Sequence, residues 1–179
     1  MKTTIELFDQ FLAESGLRFQ AVIIGGGALI IMGVINRRTK DIDCLDPIIP
    51  NEIKQAAEDF RAAYPDLHLW DKWLNNGPIS LTADLTEGWR SRLTALFEGK
   101  AITFQTLGRL DLLMTKLFAL CDRQQDHDDC IALSPTAQEL DQCLEWLYDR
   151  DGNPFWPDNV RLSLKKLAMD LGYDYQPAR

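Results

Sequence analysis

Two acidic residues, Asp41 and Asp43, stand two positions apart downstream of three consecutive glycines at positions 25–27. On a β-strand, side chains alternate between faces, so both carboxylates are expected to point the same way. Two carboxylates on one face repel each other unless a cation, a shared proton or basic partners compensate their charge. Mg²⁺ is the natural cation, because it prefers oxygen ligands and is held by one or two carboxylates with waters and substrate phosphates. The pair therefore predicts a magnesium site for a phosphate group.

The glycine run supplies the other half of this predicted site. A turn without side chains lets backbone N–H groups approach a phosphate, and the N-terminus of a following helix favours an anion. The pattern predicts a strand over 20–24, the glycine turn, a short helix over 28–35 and a second strand over 41–45. These elements would bring the glycines and the acids to the same end of the two strands.

The turn before the second strand is basic, with Arg37, Arg38 and Lys40 around Thr39. Near a metal-bound phosphate, one of the arginines would contact a phosphate or a base. The alternative is that both arginines are solvated loop charges. Thr39 is expected to shape the turn.

Together these residues resemble the signature of the nucleotidyltransferase (polymerase-β-like) superfamily, and most of all its small bacterial group that includes the AbiEii-type toxins. The resemblance is carried by Gly26, Gly27, Ala28, Leu29, Arg37, Thr39, Asp41 and Asp43. It implies that the two aspartates are catalytic and bind Mg²⁺. It also implies a nucleoside triphosphate bound by Gly25, Gly26, Gly27, Arg37 and Thr39.

A second resemblance to the same group lies downstream, in Lys116, Arg123, Asp126 and Asp129. It implies that Lys116 and Asp129 are catalytic and that Arg123 binds nucleotide, on helices that return to the active site. Lys116 and Arg123 are two helical turns apart on one face, so both cations could reach one anion. Asp126 and Asp129 share a helical face and would orient one of these cations. The alternatives are a lysine along the helix edge with its ammonium in solvent, and acids that cap a helix.

A two-metal site, with ions about 3.5–4 Å apart, normally uses a third carboxylate. Asp71 is the best local candidate for this metal ligand, although Lys72 follows it where the superfamily pattern has an apolar residue. Asp84 is the alternative. Without a third ligand, the site would hold one metal, use Asp126 or Asp129, or bind nucleotide without turning it over.

Two other kinds of site compete for these residues. A dinucleotide-binding fingerprint requires a third glycine where this chain has Ile30, although an acid at position 41 or 43 lies near the distance expected for a ribose contact. Two aligned acids after a basic turn fit that interpretation less well. A zinc site is disfavoured, because His68 and His127 are the only histidines and the four cysteines show no paired spacing.

Composition limits the class of protein. A net charge of −8 argues against a broad nucleic-acid-binding face, while a local basic patch would still suit a triphosphate or a tRNA end. No apolar run approaches the roughly 20 residues of a membrane span, and the first residues predict an amphipathic helix in place of a signal peptide. With scattered cysteines, these features predict a cytoplasmic protein with reduced thiols and no membrane partner.

The rest of the chain is predicted from local patterns. Pattern and caps predict a first helix ending near Gly16, a helix over 51–64, a strand over 68–70, a helix over 89–97 closed by Gly99, and a strand over 101–105. The chain after Gly108 is predicted to be helical, with a capping box formed by Thr136 and Glu139.

The sequence thus predicts an α+β protein with a small mixed sheet flanked by helices. We expect a nucleotidyltransferase-like core over 1–107 and a helical C-terminal region over 108–179 that packs on it. The expected activity is Mg²⁺-dependent transfer of a nucleotidyl group from a nucleoside triphosphate to a hydroxyl of RNA or protein. The resemblance adds a role as the toxin of a toxin–antitoxin pair, with an antitoxin protein as partner. The alternative is a non-catalytic nucleotide-binding or interaction module that retains the fold.

Overall fold

The computed structural model describes residues 1–177. Its chain forms two compact units, Met1–Gly108 and a second unit that begins at Arg109. The helices are α1 (Lys2–Glu14), α2 (Gly25–Ile31), α3 (Asn51–Ala63), α4 (Arg109–Arg123), α5 (His127–Leu133), α6 (Ala137–Tyr148) and α7 (Trp156–Asp170). The strands are β1 (Phe19–Ile24), β2 (Ile42–Asp46), β3 (Leu74–Asn75), β4 (Thr94–Glu98) and β5 (Ile102–Thr106).

The five strands form one mixed sheet in the order β3-β2-β1-β5-β4. β1 is antiparallel to β2 and parallel to β5, and β2 is parallel to β3. A mixed sheet combined with helices confirms the predicted α+β class. The register sets Asp43 opposite Ile24 on one side and opposite Asn75 on the other. Asp43 therefore lies between the end of β1 and the short strand β3.

An aromatic cluster forms the centre of the first unit. The rings of Phe60 and Trp73 each lie 5.1 Å from the ring of Phe8, measured between centroids. The indole Nε1 of Trp73 donates to the carbonyl of Ala57 at 3.0 Å, so its polar atom is satisfied inside the core. This contact fixes the chain just before β3 against α3.

A buried carboxylate fastens α1 to the turn between β4 and β5. Asp9 accepts hydrogen bonds from the backbone N–H groups of Lys100, Ala101 and Ile102 at 3.0, 2.8 and 2.8 Å. Burial alone raises the pKa of Asp9, but the three N–H donors outweigh it and hold this pKa below its usual value. A Cβ on Gly99 would lie within van der Waals overlap of the same carboxylate, so this turn requires glycine.

All the secondary structure described in the second unit is helical, as predicted. The capping box at the start of α6 is present, since Thr136 Oγ1 accepts from the Glu139 N–H and Glu139 accepts from the Thr136 N–H. Glu139 also binds the guanidinium of Arg109 with Nε and Nη2 at 2.5 and 3.1 Å. The indole of Trp156 donates to the carbonyl of Leu147 at 2.7 Å, which joins the start of α7 to the end of α6.

Three predictions of local structure are wrong. The glycine run, predicted as a turn before a helix over 28–35, forms the first turn of α2, which ends at Ile31. The predicted strand over 68–70 is irregular chain between the left-handed residues His68 and Lys72, with φ of 52° and 55°, and the strand forms later at β3. The predicted helix over 89–97 is a 3₁₀ turn, Trp89–Arg92, followed by β4. The spacing of a short apolar run does not distinguish a helix from a strand. Pairing with β5 stabilises the strand here.

Two further properties concern the described chain as a whole. Within residues 1–177, no helix is both long enough and apolar enough to cross a membrane. All four cysteines, Cys44, Cys121, Cys130 and Cys143, are buried and unpaired. Burial is the main cause that raises the pKa of each thiol to about 12.

Candidate functional site

The first glycine of the run lies against the second aspartate. β1 ends at Ile24, and Gly25 turns the chain into α2 with a φ of +74°, a conformation that favours glycine. A Cβ at Gly25 would lie 2.6 Å from Asp43 Oδ2, which is closer than real side chains approach. Only glycine at this position lets the carboxylate of Asp43 reach the turn.

The other two glycines also face residues that the sequence pattern assigns to the site. A Cβ at Gly26 would lie 3.1 Å from the Arg37 guanidinium nitrogen Nη2. A Cβ at Gly27 would lie 3.3 Å from the backbone carbonyl oxygen of Asp41. The glycine run therefore lies beside the Arg37 guanidinium and the start of β2, and a guanidinium is a group that binds phosphate.

Asp41 is positioned by the basic turn that precedes β2. The hydroxyl of Thr39 donates to Asp41 Oδ1 at 2.7 Å, in keeping with the turn-shaping role expected for this threonine. Asp41 and Asp43 are both partly exposed, whereas Ile42 and Cys44 are fully buried. The expected alternation of faces is thus observed, and both acids lie on the accessible face.

On β3, the neighbour of Asp43 is Asn75, whose side-chain amide contacts the Asp43 carboxylate. Its Nδ2 donates to Asp43 Oδ1 at 3.2 Å and to the carbonyl of Ile42 at 3.4 Å, while its Oδ1 accepts from the Gly77 N–H at 2.7 Å. Sequence reasoning misses this residue, because the composition of Asn75-Asn76-Gly77-Pro78 predicts a loop. The signal that could have predicted β3 is the apolar pair Trp73 and Leu74 directly before Asn75, since a short apolar run is typical of a strand. Both residues are buried in the structure.

Both predicted candidates for a third carboxylate lie outside β3. Asp71 precedes the strand, has a side chain that is 86% exposed, and pairs with the Arg61 guanidinium at 3.1 Å. Asp84 follows a 3₁₀ turn, Ile79–Ala83, as its C-cap. Within residues 1–177, no group of three or more His, Cys, Asp or Glu side chains is arranged to hold a metal ion. A metal role for Asp71 stays a prediction.

The residues present fit one Mg²⁺ that is shared with substrate phosphates. Asp41 and Asp43 offer two partly exposed carboxylates, and the Asp43 carboxylate lies against Gly25, where a Cβ would collide with it. One or two carboxylates plus phosphate oxygens and water are a usual ligand set for Mg²⁺.

The second unit brings together three of the downstream residues. Lys116 Nζ donates to Asp126 Oδ2 at 3.1 Å and to Asp129 Oδ2 at 2.8 Å. Lys116 and Asp129 are only 4% and 2% exposed, so the lysine is buried in an ion cluster and does not lie along the helix edge. Asp126 precedes α5 with a φ of 62°. Arg123 is different, with a side chain that is 57% exposed and whose Nε lies 3.8 Å from Asp122 Oδ2.

Comparison with known proteins identifies a family but no characterised relative. No curated protein and no solved structure matches the chain significantly. Residues 2–151 match a family model described as "Nucleotidyltransferase of unknown function (DUF6036)". That match covers most of the 179 residues and includes the glycine run, both aspartates and the Lys116 cluster. The chain therefore belongs to the DUF6036 family of nucleotidyltransferases.

Proposed function

We propose that this chain is a Mg²⁺-dependent nucleotidyltransferase that moves a nucleotidyl group from a nucleoside triphosphate to a hydroxyl of RNA or protein. The observation that carries the proposal is the contact between the Asp43 carboxylate and the Gly25 turn, where a Cβ would lie 2.6 Å from Oδ2. Family membership supports nucleotidyl transfer in general. The magnesium ion and the macromolecular acceptor are parts of the proposal.

The residues of the first unit have distinct roles in this reaction. Asp41 and Asp43 would hold the ion, which when bound neutralises phosphate charge and lowers the pKa of a coordinated hydroxyl. The glycine run seats the triphosphate, and Arg37 compensates its negative charge. Thr39 keeps the Asp41 carboxylate in place through its 2.7 Å hydrogen bond.

The transfer itself exchanges one phosphorus–oxygen bond for another. The acceptor oxygen bonds to the α-phosphorus while the bond to the bridging oxygen breaks, and pyrophosphate leaves with the electron pair. The hydroxyl proton passes to a basic oxygen at the site or to water. Protein groups contribute mainly by positioning and charge stabilisation, because this chemistry needs little covalent help.

The cations of the second unit are a separate part of the proposal. The family resemblance implies that Lys116 and Asp129 are catalytic and that Arg123 binds nucleotide, and we keep these roles in the proposal, with Asp129 positioning Lys116. The 2.8 Å contact between Lys116 Nζ and Asp129 Oδ2 supports the positioning role. Asp126 is the more exposed partner of Lys116, with 29% of its side chain accessible.

Thermal shift and label transfer test the proposal together. We expect each preferred nucleoside triphosphate to raise the melting temperature of the full chain only when Mg²⁺ is present, and labelled nucleotide to enter RNA or protein. Asp43→Asn should lose both effects. Asp66→Asn makes the same chemical change at an exposed position and should keep both. Absence of any nucleotide-dependent shift in the unchanged chain would overturn the proposal.

A second candidate function is nucleotide binding without transfer. The observation that favours it is Asn75, which places an amide beside Asp43 on β3. Mg²⁺-dependent stabilisation by a nucleotide, combined with no label transfer to any acceptor in a cell extract, would support this alternative over catalysis.

The cellular setting that the proposal adds is a cytoplasmic toxin with a protein antitoxin. Expression of the chain alone should then arrest growth, and the Asp43→Asn variant should not. An arrest that persists in the variant, or unimpaired growth with the unchanged chain at high expression, would contradict the toxin role while leaving nucleotidyl transfer intact.

A further inference from the structure

We infer that Asn75 positions Asp43 and limits the site to one divalent cation, because it supplies an amide where a second cation would need a carboxylate. This inference rests on the proposed function and specifies the metal content of the same site. It assigns a role to a residue that the sequence pattern of the family resemblance did not include.

The register of the sheet makes Asn75 a direct neighbour of Asp43. β3 runs parallel to β2, and Asp43 and Asn75 are paired positions. A parallel pair places their side chains on the same face of the sheet. The 3.2 Å bond from Asn75 Nδ2 to Asp43 Oδ1 shows that the two side chains meet there. A carboxylate at position 75 would therefore stand beside the carboxylate of Asp43.

The hydrogen bonds of Asn75 fix which end of its amide faces Asp43. Its Oδ1 accepts from the Gly77 N–H at 2.7 Å, and its Nδ2 donates to both the Ile42 carbonyl and Asp43. Turning the amide around would leave the Gly77 N–H without this acceptor and place an oxygen against two other oxygens. Asn75 therefore presents hydrogen atoms to Asp43, and hydrogen atoms of an amide repel a cation.

Charge also limits the number of ions. Two divalent cations about 3.5–4 Å apart repel each other strongly and need several carboxylates between and around them. The face of β2 offers Asp41 and Asp43, and no third acidic, histidine or cysteine side chain completes a metal-binding group with them in residues 1–177. One cation shared with the nucleotide phosphates is what this donor set supports.

Position 75 is accessible to ions from solution. Asn75 lines a cavity of about 670 Å³ between α3 and β3, together with Lys54 and Arg61 of α3. Because Asn75 is partly exposed, an aspartate introduced there would be in contact with solvent. Asn75→Asp would also keep the acceptor for Gly77, because a carboxylate oxygen replaces the amide oxygen.

The test counts Mn²⁺ ions in the full chain by electron paramagnetic resonance, with a nonhydrolysable ATP analogue present. The unchanged chain should bind one Mn²⁺ per bound nucleotide, and Asn75→Asp should bind two. Asn51→Asp, the same change at an exposed position at the start of α3, should bind one. Two ions in the unchanged chain, or one ion in folded Asn75→Asp, would overturn the inference.

A melting measurement without nucleotide separates this inference from the proposed function. In Asn75→Asp two carboxylates face each other, so its melting temperature should fall without metal and rise more on adding Mn²⁺ than that of Asn51→Asp. An equal rise in both variants would overturn the inference. Failure of nucleotides to stabilise the unchanged chain would overturn the proposed function, whatever Mn²⁺ does to Asn75→Asp.

A third variant covers the case in which Asn75→Asp fails to fold. Asn75→Ala removes the donor to Asp43 without adding charge, and should keep one Mn²⁺ with affinity reduced about tenfold, the usual scale for losing a hydrogen bond that orients a ligand. Unchanged Mn²⁺ affinity in folded Asn75→Ala would refute the positioning role.

Discussion

The two units each hold a pair of aspartates, and they hold them differently. In the first unit, Asp41 and Asp43 are partly exposed, and a threonine hydroxyl and an asparagine amide are among their partners. In the second unit, Asp126 and Asp129 bind the ammonium of Lys116, which is 4% exposed. The first pair thus has neutral donors among its partners, whereas the second pair binds a buried ammonium that compensates its charge within the protein.

This difference separates two uses of acidic side chains. The first pair is the proposed binding group, and glycine at position 25 lets the Asp43 carboxylate lie against the turn. The second pair is an internal ion cluster, in which the removal of any member changes the balance of buried charge. Substitutions in the first unit should therefore alter ligand binding more than stability, and substitutions in the second should do the reverse.

The largest expected effect on stability comes from Lys116→Met. It leaves the 2% exposed Asp129 without its ammonium partner, and such a loss costs about 3–5 kcal/mol. Chemical denaturation of the full chain at pH 7 measures the loss. The double variant Lys116→Met with Asp129→Asn should recover most of it, because the uncompensated charge is then gone. A loss below about 1 kcal/mol in the single variant is typical of a solvated surface pair and would contradict an internal ion cluster.

The next effect is expected from Gly25→Ala, which tests the first unit. A left-handed alanine costs about 1–3 kcal/mol, and the new Cβ would also collide with Asp43 Oδ2. Gly33→Ala is the matched control, because Gly33 has a φ of +75° and a Cβ added there would have no neighbouring atom within 4 Å. Both variants should lose stability, and only Gly25→Ala should also lose Mg²⁺-dependent nucleotide binding. Equal nucleotide binding by the two variants would remove the argument for the Gly25 contact.

A smaller effect, with a defined pH range, is expected from Glu139→Gln in the second unit. The Arg109 guanidinium, aided by Thr136, holds the pKa of Glu139 at about 2 against burial, which raises it. The ordinary value is 4.5, so the stabilisation is complete above about pH 4.5 and is lost as the pH falls towards 2. Glu139→Gln should lower the free energy of unfolding by about 1–2 kcal/mol at pH 7 and flatten its slope between these pH values. An unaltered slope would mean that another carboxylate dominates this range.

The smallest effect is expected from Thr39→Val. It removes the hydroxyl that donates to Asp41 Oδ1, a partly buried bond that contributes about 0.5–1 kcal/mol. Thr39→Ser keeps the hydroxyl and should behave like the unchanged chain. Melting curves recorded with and without Mg²⁺ and nucleotide separate the effect on stability from the effect on nucleotide binding. The nucleotide-dependent shift in melting temperature should shrink in Thr39→Val. The same shift in both variants would leave Thr39 with only a turn-forming role.

The first-unit site is largely predictable from the sequence because its parts are local. The three glycines, the basic turn and the two aspartates lie within 20 residues of each other, so strand alternation and turn chemistry are enough to predict that Gly25 and Asp43 converge. Asn75 is not predictable in this way. Its contact with Asp43 depends on the pairing of β2 with a strand of two residues, a distance of 32 positions along the chain.

Elsewhere, local patterns decide less. The apolar spacing of 89–97 fits a helix, but the segment forms β4 because β5 offers it a partner. The sequence allows Lys116 either to extend into solvent or to be held by acidic side chains. The structure shows the second arrangement, with the Lys116 ammonium bound by Asp126 and Asp129. Helical spacing places the two acids on one face, but whether they bind a lysine or an arginine depends on how α4 and α5 pack.

The four sequestered thiols give a way to observe each unit separately in solution. Cys44 belongs to the first unit, whereas Cys121, Cys130 and Cys143 belong to the second, and a thiol whose pKa is about 12 is almost inert to alkylating reagents at neutral pH. Modification must then wait for a local opening that admits water and reagent. Mass spectrometry of the labelled peptides over time would thus report opening rates for the two units in one sample, with no engineered probe.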